Sequence, residues 1–196
     1  MNASMPGFTD SVEDAQRVFR AALSAMSYPG RIERIDTPAV APPPFSRACV
    51  ALALSLIDET TPVWLGQAHA AAIGHLQFHC GARVVDAPAC ADFGITHAST
   101  CPMLERWAPG TAAEPHRSAT LLLEVDSLGA GQRYRLSGPG MSGERYLDCH
   151  GLPREWLAAR AANDFPCGVD IFLTSGDLMA ALPRTTRVEA QACTPR

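Results

Sequence analysis

No lysine occurs anywhere in the 196 residues, so all 16 basic side chains are arginine. Without an ε-amino group the chain has no residue for a Schiff base with a carbonyl substrate and none for an internal aldimine with pyridoxal phosphate. It also has no Gly-Lys-Ser/Thr phosphate loop. Abundant Ala, Arg, Pro and Gly point to codon bias as the origin, but the chemical exclusion holds either way. Charge is sparse as well, at 18% of residues with a formal net charge of -4, which argues against a general nucleic-acid or anionic-membrane binder. Long apolar runs are missing: Ala48 to Ile57, interrupted by Ser55, falls well short of the roughly 20 residues that span a bilayer. Met1 to Asp10 lacks the basic region and apolar run of a signal peptide. Cys49, Cys80, Cys90, Cys101, Cys149, Cys167 and Cys193 are odd in number and form no C-x-x-C pair. That pattern predicts reduced thiols in a cytoplasm.

What is present suits one compact domain, since 47% of residues are apolar. A flexible arm is expected over 1–10, a single α/β domain over 11–190 and a tail over 191–196. Ser11 is placed as the N-cap of a first helix, with Asp14 three residues on. Val12, Ala15, Phe19, Ala22 and Met26 are its packing face by spacing, and Tyr28-Pro29-Gly30 its stop. Prolines make 36–45 a loop. Ser46 then caps a helix from Arg47 to Ile57 that is apolar nearly all round and therefore central. Thr61–Leu65 reads as a strand, Ala68–His79 as a helix, and Ala82–Asp86 and Asp92–Thr96 as strands. Ser99 or Thr100 is read as the cap of a short helix to Ala108.

Thr120–Val125 and Gln132–Ser137 are strand-like and joined by a Gly129-Ala130-Gly131 turn, with Arg145–Cys149 as a further strand. Pro153 opens a helix to Ala162. Val169–Thr174 and Leu178–Leu182 form a hairpin about Ser175-Gly176-Asp177. The order is not a regular strand–helix alternation, so a mixed β-sheet flanked by helices is the expected fold class.

Several patterns invite chemistry. Gly138-Pro139-Gly140-Met141-Ser142-Gly143 spells G-x-G-x-x-G after a strand, yet no long helix follows to meet a pyrophosphate, so a bent strand connection is the better reading. His75 and His79 stand four apart on a helix with Cys80 adjoining, but no H-E-x-x-H is present, and two hydrogen-bonded helix histidines are expected. Cys149-His150 or Cys167, with Asp170 as orienter, suggests thiol catalysis against the plainer reading of buried structural thiols. Phe165-Pro166-Cys167-Gly168-Val169-Asp170 and Leu182-Pro183-Arg184-Thr185-Thr186-Arg187 are more distinctive. In the second, an arginine fork beside two hydroxyls suits a phosphate or carboxylate, or simply a solvated strand exit.

These segments carry a family resemblance. Asp14-Ala15-Gln16 through Phe19-Arg20 to Ala25-Met26-Ser27-Tyr28-Pro29-Gly30 resembles the opening motif of the PhnH family, a subunit of the bacterial carbon–phosphorus lyase system. Thr61–Leu65, Phe78-His79, Ser118–Leu121, Leu136–Gly140 and the two C-terminal motifs follow in the family's order, from about Asp14 to Glu189. Gln77 departs from the arginine common before Phe-His, and His116 from a glutamate common after proline.

The resemblance implies an accessory subunit of a core complex with PhnG, PhnI and PhnJ. That complex joins an alkylphosphonate to ribose C1 of ATP, releases adenine and so makes ribose 1-methylphosphonate 5-triphosphate. It also implies a fold similar to the large domain of pyridoxal-phosphate-dependent transferases without the cofactor, no catalytic residue, metal or cofactor of its own, and homodimers when isolated. The second helix and the Trp64 strand are expected to supply core or interface. Arg20, Asp170, Arg184 and Thr185 are the candidate ligand or subunit contacts. Two other readings stay open: a stand-alone thiol- or metal-dependent hydrolase, and a nucleotide-phosphate binder acting through Arg184.

Overall fold

A computed structural model describes residues 6–37, 40–66, 70–162 and 165–191. Among these residues four α-helices and ten strands run in the order α1 (Ser11–Ser27), β1 (Glu33–Arg34), α2 (Arg47–Leu56), β2 (Pro62–Leu65), α3 (Ala70–Cys80), β3 (Arg83–Val84), β4 (Phe93–His97), β5 (Thr120–Glu124), β6 (Ser127–Ser137), β7 (Arg145–His150), α4 (Arg154–Ala161), β8 (Asp170–Ser175), β9 (Leu178–Leu182) and β10 (Arg187–Ala190). One sheet has the order β1-β9-β8-β5-β4-β2-β3, and a second has β10-β6-β7. In the first, β8, β5, β4, β2 and β3 are mutually parallel while β9 runs against β8 and β1. The fold is therefore α/β with a mixed sheet, as its irregular element order implied.

The large sheet is buried on both faces, which is why its strands read as apolar runs rather than alternating patterns. Leu122, Phe172, Met179 and Ala181 point to a core shared with α1, α2 and α3. Their neighbours Leu121, Leu123, Ile171, Leu173, Ala180 and Leu182 point the other way, to a core closed by the small sheet, Trp107 and Trp156 of α4. Each buried leucine, isoleucine, phenylalanine or methionine among them contributes about 1.5–3 kcal/mol. Gly94 is required at one point of this packing, because a Cβ there would lie 2.2 Å from the Trp107 ring. Trp107 in turn meets Trp64 edge-on at 5.4 Å, so Trp64, partly buried, packs against the core. The α2 segment is core too, with Ala48 to Ala53 all buried. Ser46 caps α2 by accepting from the Cys49 N–H.

Local details differ from the sequence reading. Asp10, not Ser11, caps α1: its carboxylate accepts from the Val12 and Glu13 N–H groups, while Asp14 reaches back to those of Thr9 and Asp10. Two reciprocal carboxylate caps outcompete a hydroxyl one residue later. The buried face of α1 is Asp14, Val18, Ala22 and Ala25, so Val12, Phe19 and Leu23 stand exposed. The sequence stripe was rotated because the Asp14 cap itself has to face inward. Residues 98–106 form two 3-10 turns, Ala98–Thr100 and Leu104–Arg106, separated by Pro102, which cannot continue a helix. Gly129 to Gly131 is no turn between paired strands: β5 and β6 belong to different sheets, and these glycines form an irregularity within β6 where its register against β7 shifts. The β8–β9 hairpin and the β6–β7 connection through Gly138–Gly143 are as expected.

Near the N-terminus Gly7 is buried against His79 and Phe8 packs on the core. Residues 1–5 and 192–196 lie outside the described residues. Among described residues six cysteines are free thiols, and no helix is long and apolar enough to cross a membrane.

Candidate functional site

The two C-terminal motifs meet at the end of the large sheet where its parallel strands begin. The β8–β9 register pairs Ile171 with Leu182, so Asp170 and Arg184, one and two residues further out, emerge side by side. Asp170 Oδ1 accepts from the Arg184 N–H at 2.7 Å, and its carboxylate takes the guanidinium through Nε at 3.1–3.3 Å and through Nη2. Arg184 Nη1 donates to the Pro115 carbonyl. Both side chains are mostly buried, at 19% and 13% exposure. Such a fork-on-carboxylate pair is strong and geometrically specific. It also neutralises Arg184, which therefore acts as a latch between β9, β8 and the Pro115 turn rather than as a free anion receptor.

A second arginine completes the junction. Arg160, near the end of α4 and only 8% exposed, donates to the carbonyls of Val169 (3.0 Å), Leu182 (3.3 Å), Pro183 (2.6 Å) and Thr186 (3.5 Å). Burial lowers its pKa to about 10, with Asp170 opposing the shift. The sequence reading missed it, although a signal existed: Arg160 lies four residues after Trp156 and thus on the buried face of α4. Around this junction run two concavities. A groove of about 390 Å³ is lined by Pro115, His116, Phe165, Asp170, Arg184 and Thr185. A more enclosed one of about 430 Å³ is lined by Arg160, Cys167, Thr185, Arg187 and Glu189 among others.

Asp170, Arg184 and Thr185 are thus brought together. Arg20 is not: it stands exposed on α1 and makes no hydrogen bond or ion pair with them. His116, one of the two departures from the family pattern, is exposed on the groove wall, and Gln77 is exposed on α3. The thiol constellation does not assemble, because Cys167 and His150 share no hydrogen bond and Asp170 is held by Arg184. Cys149 is buried, and its thiol is pushed up to about 12 by desolvation.

His75 and His79 do pack together, with ring centroids 4.4 Å apart. Contrary to the expectation of two hydrogen-bonded rings, both nitrogens of buried His75 lack a hydrogen-bond partner among the described residues. Desolvation, then the neighbouring His79, lowers its pKa. Among the described residues no group of three His, Cys, Asp or Glu is arranged to hold a metal ion.

The opposite sheet end holds a cluster that no sequence spacing announced. Asp126 lies between His97, whose Nε2 is 3.3 Å from Oδ1, and His150, whose Nδ1 is 2.8 Å from Oδ2. The Ser99 N–H and Oγ both approach His97 Nδ1, at 3.3 and 2.7 Å, which leaves the ring proton on Nε2 facing the carboxylate. These residues come from the ends of β4, β5 and β7 and meet only because the small sheet folds back over the large one. The order hydroxyl, imidazole, carboxylate is that of a nucleophile relay. His97, Asp126 and His150 are nonetheless 38%, 51% and 67% exposed, so water screens the cluster.

Comparison with known proteins bears on the whole chain rather than on one cluster. A family model described as bacterial phosphonate metabolism protein (PhnH) matches residues 6–189. The chain is 38% identical over 189 residues, 94% of each chain, to alpha-D-ribose 1-methylphosphonate 5-triphosphate synthase subunit PhnH of Rhizobium meliloti (strain 1021). It is 30% identical over 176 residues, 88% of this chain and 85% of the relative, to the putative C-P lyase subunit protein HtxG of Stutzerimonas stutzeri.

Proposed function

The chain belongs to the PhnH family of bacterial phosphonate metabolism proteins, and on that premise we propose that it is an accessory subunit of an assembly that makes ribose 1-methylphosphonate 5-triphosphate. In that reaction an alkylphosphonate is joined to ribose C1 of ATP and adenine leaves. The observation that carries the reading is the extent of similarity: the family match and the 38% identity run through nearly the whole chain and nearly the whole relative, which is itself a synthase subunit.

The subunit acts through protein contacts, with PhnG, PhnI and PhnJ-like chains as partners and a second copy of itself when isolated. The exposed Val12, Phe19 and Leu23 on one side of α1 support that role, since an apolar stripe of this kind is a usual mark of an interaction surface. The scaffold corresponds to the large domain of pyridoxal-phosphate-dependent transferases, put to a use in which that cofactor has no place. A chain without lysine has no residue for the cofactor's aldimine. Six free thiols fit a cytoplasmic setting.

Co-expression of the tagged chain with the three sister subunits tests the reading. They are expected to purify together, and phosphonate-dependent adenine release from ATP is expected only when all are present. A sister assembly that forms and turns over fully without this chain overturns it. Sedimentation of the isolated chain should give about twice its 20.9 kDa mass.

A further inference from the structure

The enclosed cavity beside the Arg184 latch has unbalanced charge. Three of its lining residues are arginines, Arg160, Arg184 and Arg187, and among the described residues only Arg184 has a carboxylate within ion-pair distance. Arg160 is buried against four carbonyl oxygens, which accept its hydrogen bonds without cancelling its charge, and the carboxylate that acts on it, Asp170, is already paired with Arg184. Arg187 is exposed at the start of β10, and its guanidinium makes no hydrogen bond or ion pair among the described residues. The acidic lining residue, Glu189, is drawn away to Arg135, which it shares with Glu144. Two buried cations that share one carboxylate are costly, and such sites concentrate where a ligand supplies the missing charge.

The hydrogen-bonding inventory agrees with the charge. In the turn from Pro183 to Thr186, the Arg184 N–H is taken by Asp170 and the Thr186 N–H by the Pro183 carbonyl. The N–H and hydroxyl of Thr185, between them, have no partner among the described residues. Two free donors thus stand beside a free guanidinium in a cavity of about 430 Å³. That volume lies within the range of small-molecule sites, roughly 300–1,000 Å³.

We propose that this cavity is a binding site for a phosphoryl or phosphonyl oxyanion, held by the Arg187 guanidinium and the Thr185 N–H and hydroxyl in the field of Arg160. Arg184 is excluded as the main receptor because Asp170 already occupies its fork. Glu189 sets the polarity of the site: the ligand sits toward Thr185 and Arg187 and away from that carboxylate. The inference rests on charge and hydrogen bonding and is independent of the accessory-subunit role.

Titration calorimetry on the full chain, with orthophosphate, methylphosphonate, tripolyphosphate and ATP as probes, tests it. Saturable one-site binding is expected, weakened about tenfold or more in Arg187→Ala, as befits a charge-assisted contact. It should also weaken in Thr185→Val and tighten severalfold in Glu189→Gln. Arg187 and Glu189 are exposed, so both variants are expected to keep the wild-type melting temperature. Binding of orthophosphate or methylphosphonate identifies a single tetrahedral oxyanion as the ligand; binding of tripolyphosphate and ATP alone identifies a polyphosphate tail. No saturable binding of any probe at millimolar concentration overturns the proposal, as does binding that Arg187→Ala and Thr185→Val leave unchanged. Arg187→Ala should still co-purify with the sister subunits, which separates a failure here from a failure of the subunit reading.

Discussion

The Asp170–Arg184 latch offers a quantitative test of how the two C-terminal motifs are held. Asp170→Ala removes the carboxylate that accepts the Arg184 N–H and side chain, and leaves a guanidinium only 19% exposed without its counter-ion. Breaking a fully buried pair by removing one partner costs roughly 3–5 kcal/mol. The residual exposure of both side chains lowers that figure to about 2–4 kcal/mol. For a chain of this size each kcal/mol moves the melting temperature by about 2–4 °C, so Asp170→Ala should melt about 5–15 °C lower. Arg184→Met, which leaves the backbone hydrogen bond to Asp170 in place, should cost less.

The double variant is the decisive member. With both charges gone neither is stranded, and its cost should fall short of the sum of the singles by about 1.5–3 kcal/mol, a coupling well above the usual additivity error of about 0.3–0.5 kcal/mol. Urea titrations of the four proteins, followed by circular dichroism, measure all the corners of the cycle. A coupling below about 0.5 kcal/mol would mean that the pair is screened like an ordinary surface ion pair. The latch would then not be what holds the Pro115 turn to the β8–β9 hairpin.

Three further outcomes are expected. The Glu124 carboxyl is raised above 4.5 by burial, against hydrogen bonds that include the Ser46 N–H. In the folded state it therefore holds its proton to higher pH than in the unfolded chain. Its contribution is complete below about pH 4.5 and is lost as pH rises through the folded value. Thermal melts of Glu124→Gln should lack this decline, and an identical pH slope in the variant would refute it.

His75→Leu replaces a buried ring with two unpartnered nitrogens and should stabilise the fold by about 1–2 kcal/mol in urea titration; a loss of stability would show that the ring has a role that packing does not explain. Cys80 is pushed up to about 11 and Cys101 to about 12 by burial, and Cys49 is raised well above 9. Native labelling with a disulfide reagent, read by peptide mass, should therefore mark exposed Cys90 before Cys49, Cys80 and Cys101. Rapid native labelling of Cys49 would contradict its burial.

The sequence by itself determined the chemistry this chain lacks, the class of its fold and the position of most elements. Residue type decides each of these locally. A missing amine cannot be supplied by folding, an all-apolar helix such as Ala48–Ala53 has to be central, and Ser175-Gly176-Asp177 between two apolar runs makes a hairpin wherever it lies. Order and spacing of short motifs were also enough to indicate the family, because they are properties of the chain rather than of its packing.

Which face of α1 is buried was decided by tertiary structure, since the inward turn of Asp14 overrides the stripe that spacing suggests. So was the separation of β5 from β6, which depends on which sheet completes its hydrogen bonds. The candidate site divides the same way. Arg184 and Thr185 stood out in the sequence. That Asp170 neutralises Arg184, that Arg160 arrives from another element to hold four carbonyls, and that Arg187 and Thr185 are left with free donors are consequences of the β8–β9 register and the docking of α4. Charge pairing is a matter of distance between groups far apart in the chain, and only the fold sets that distance.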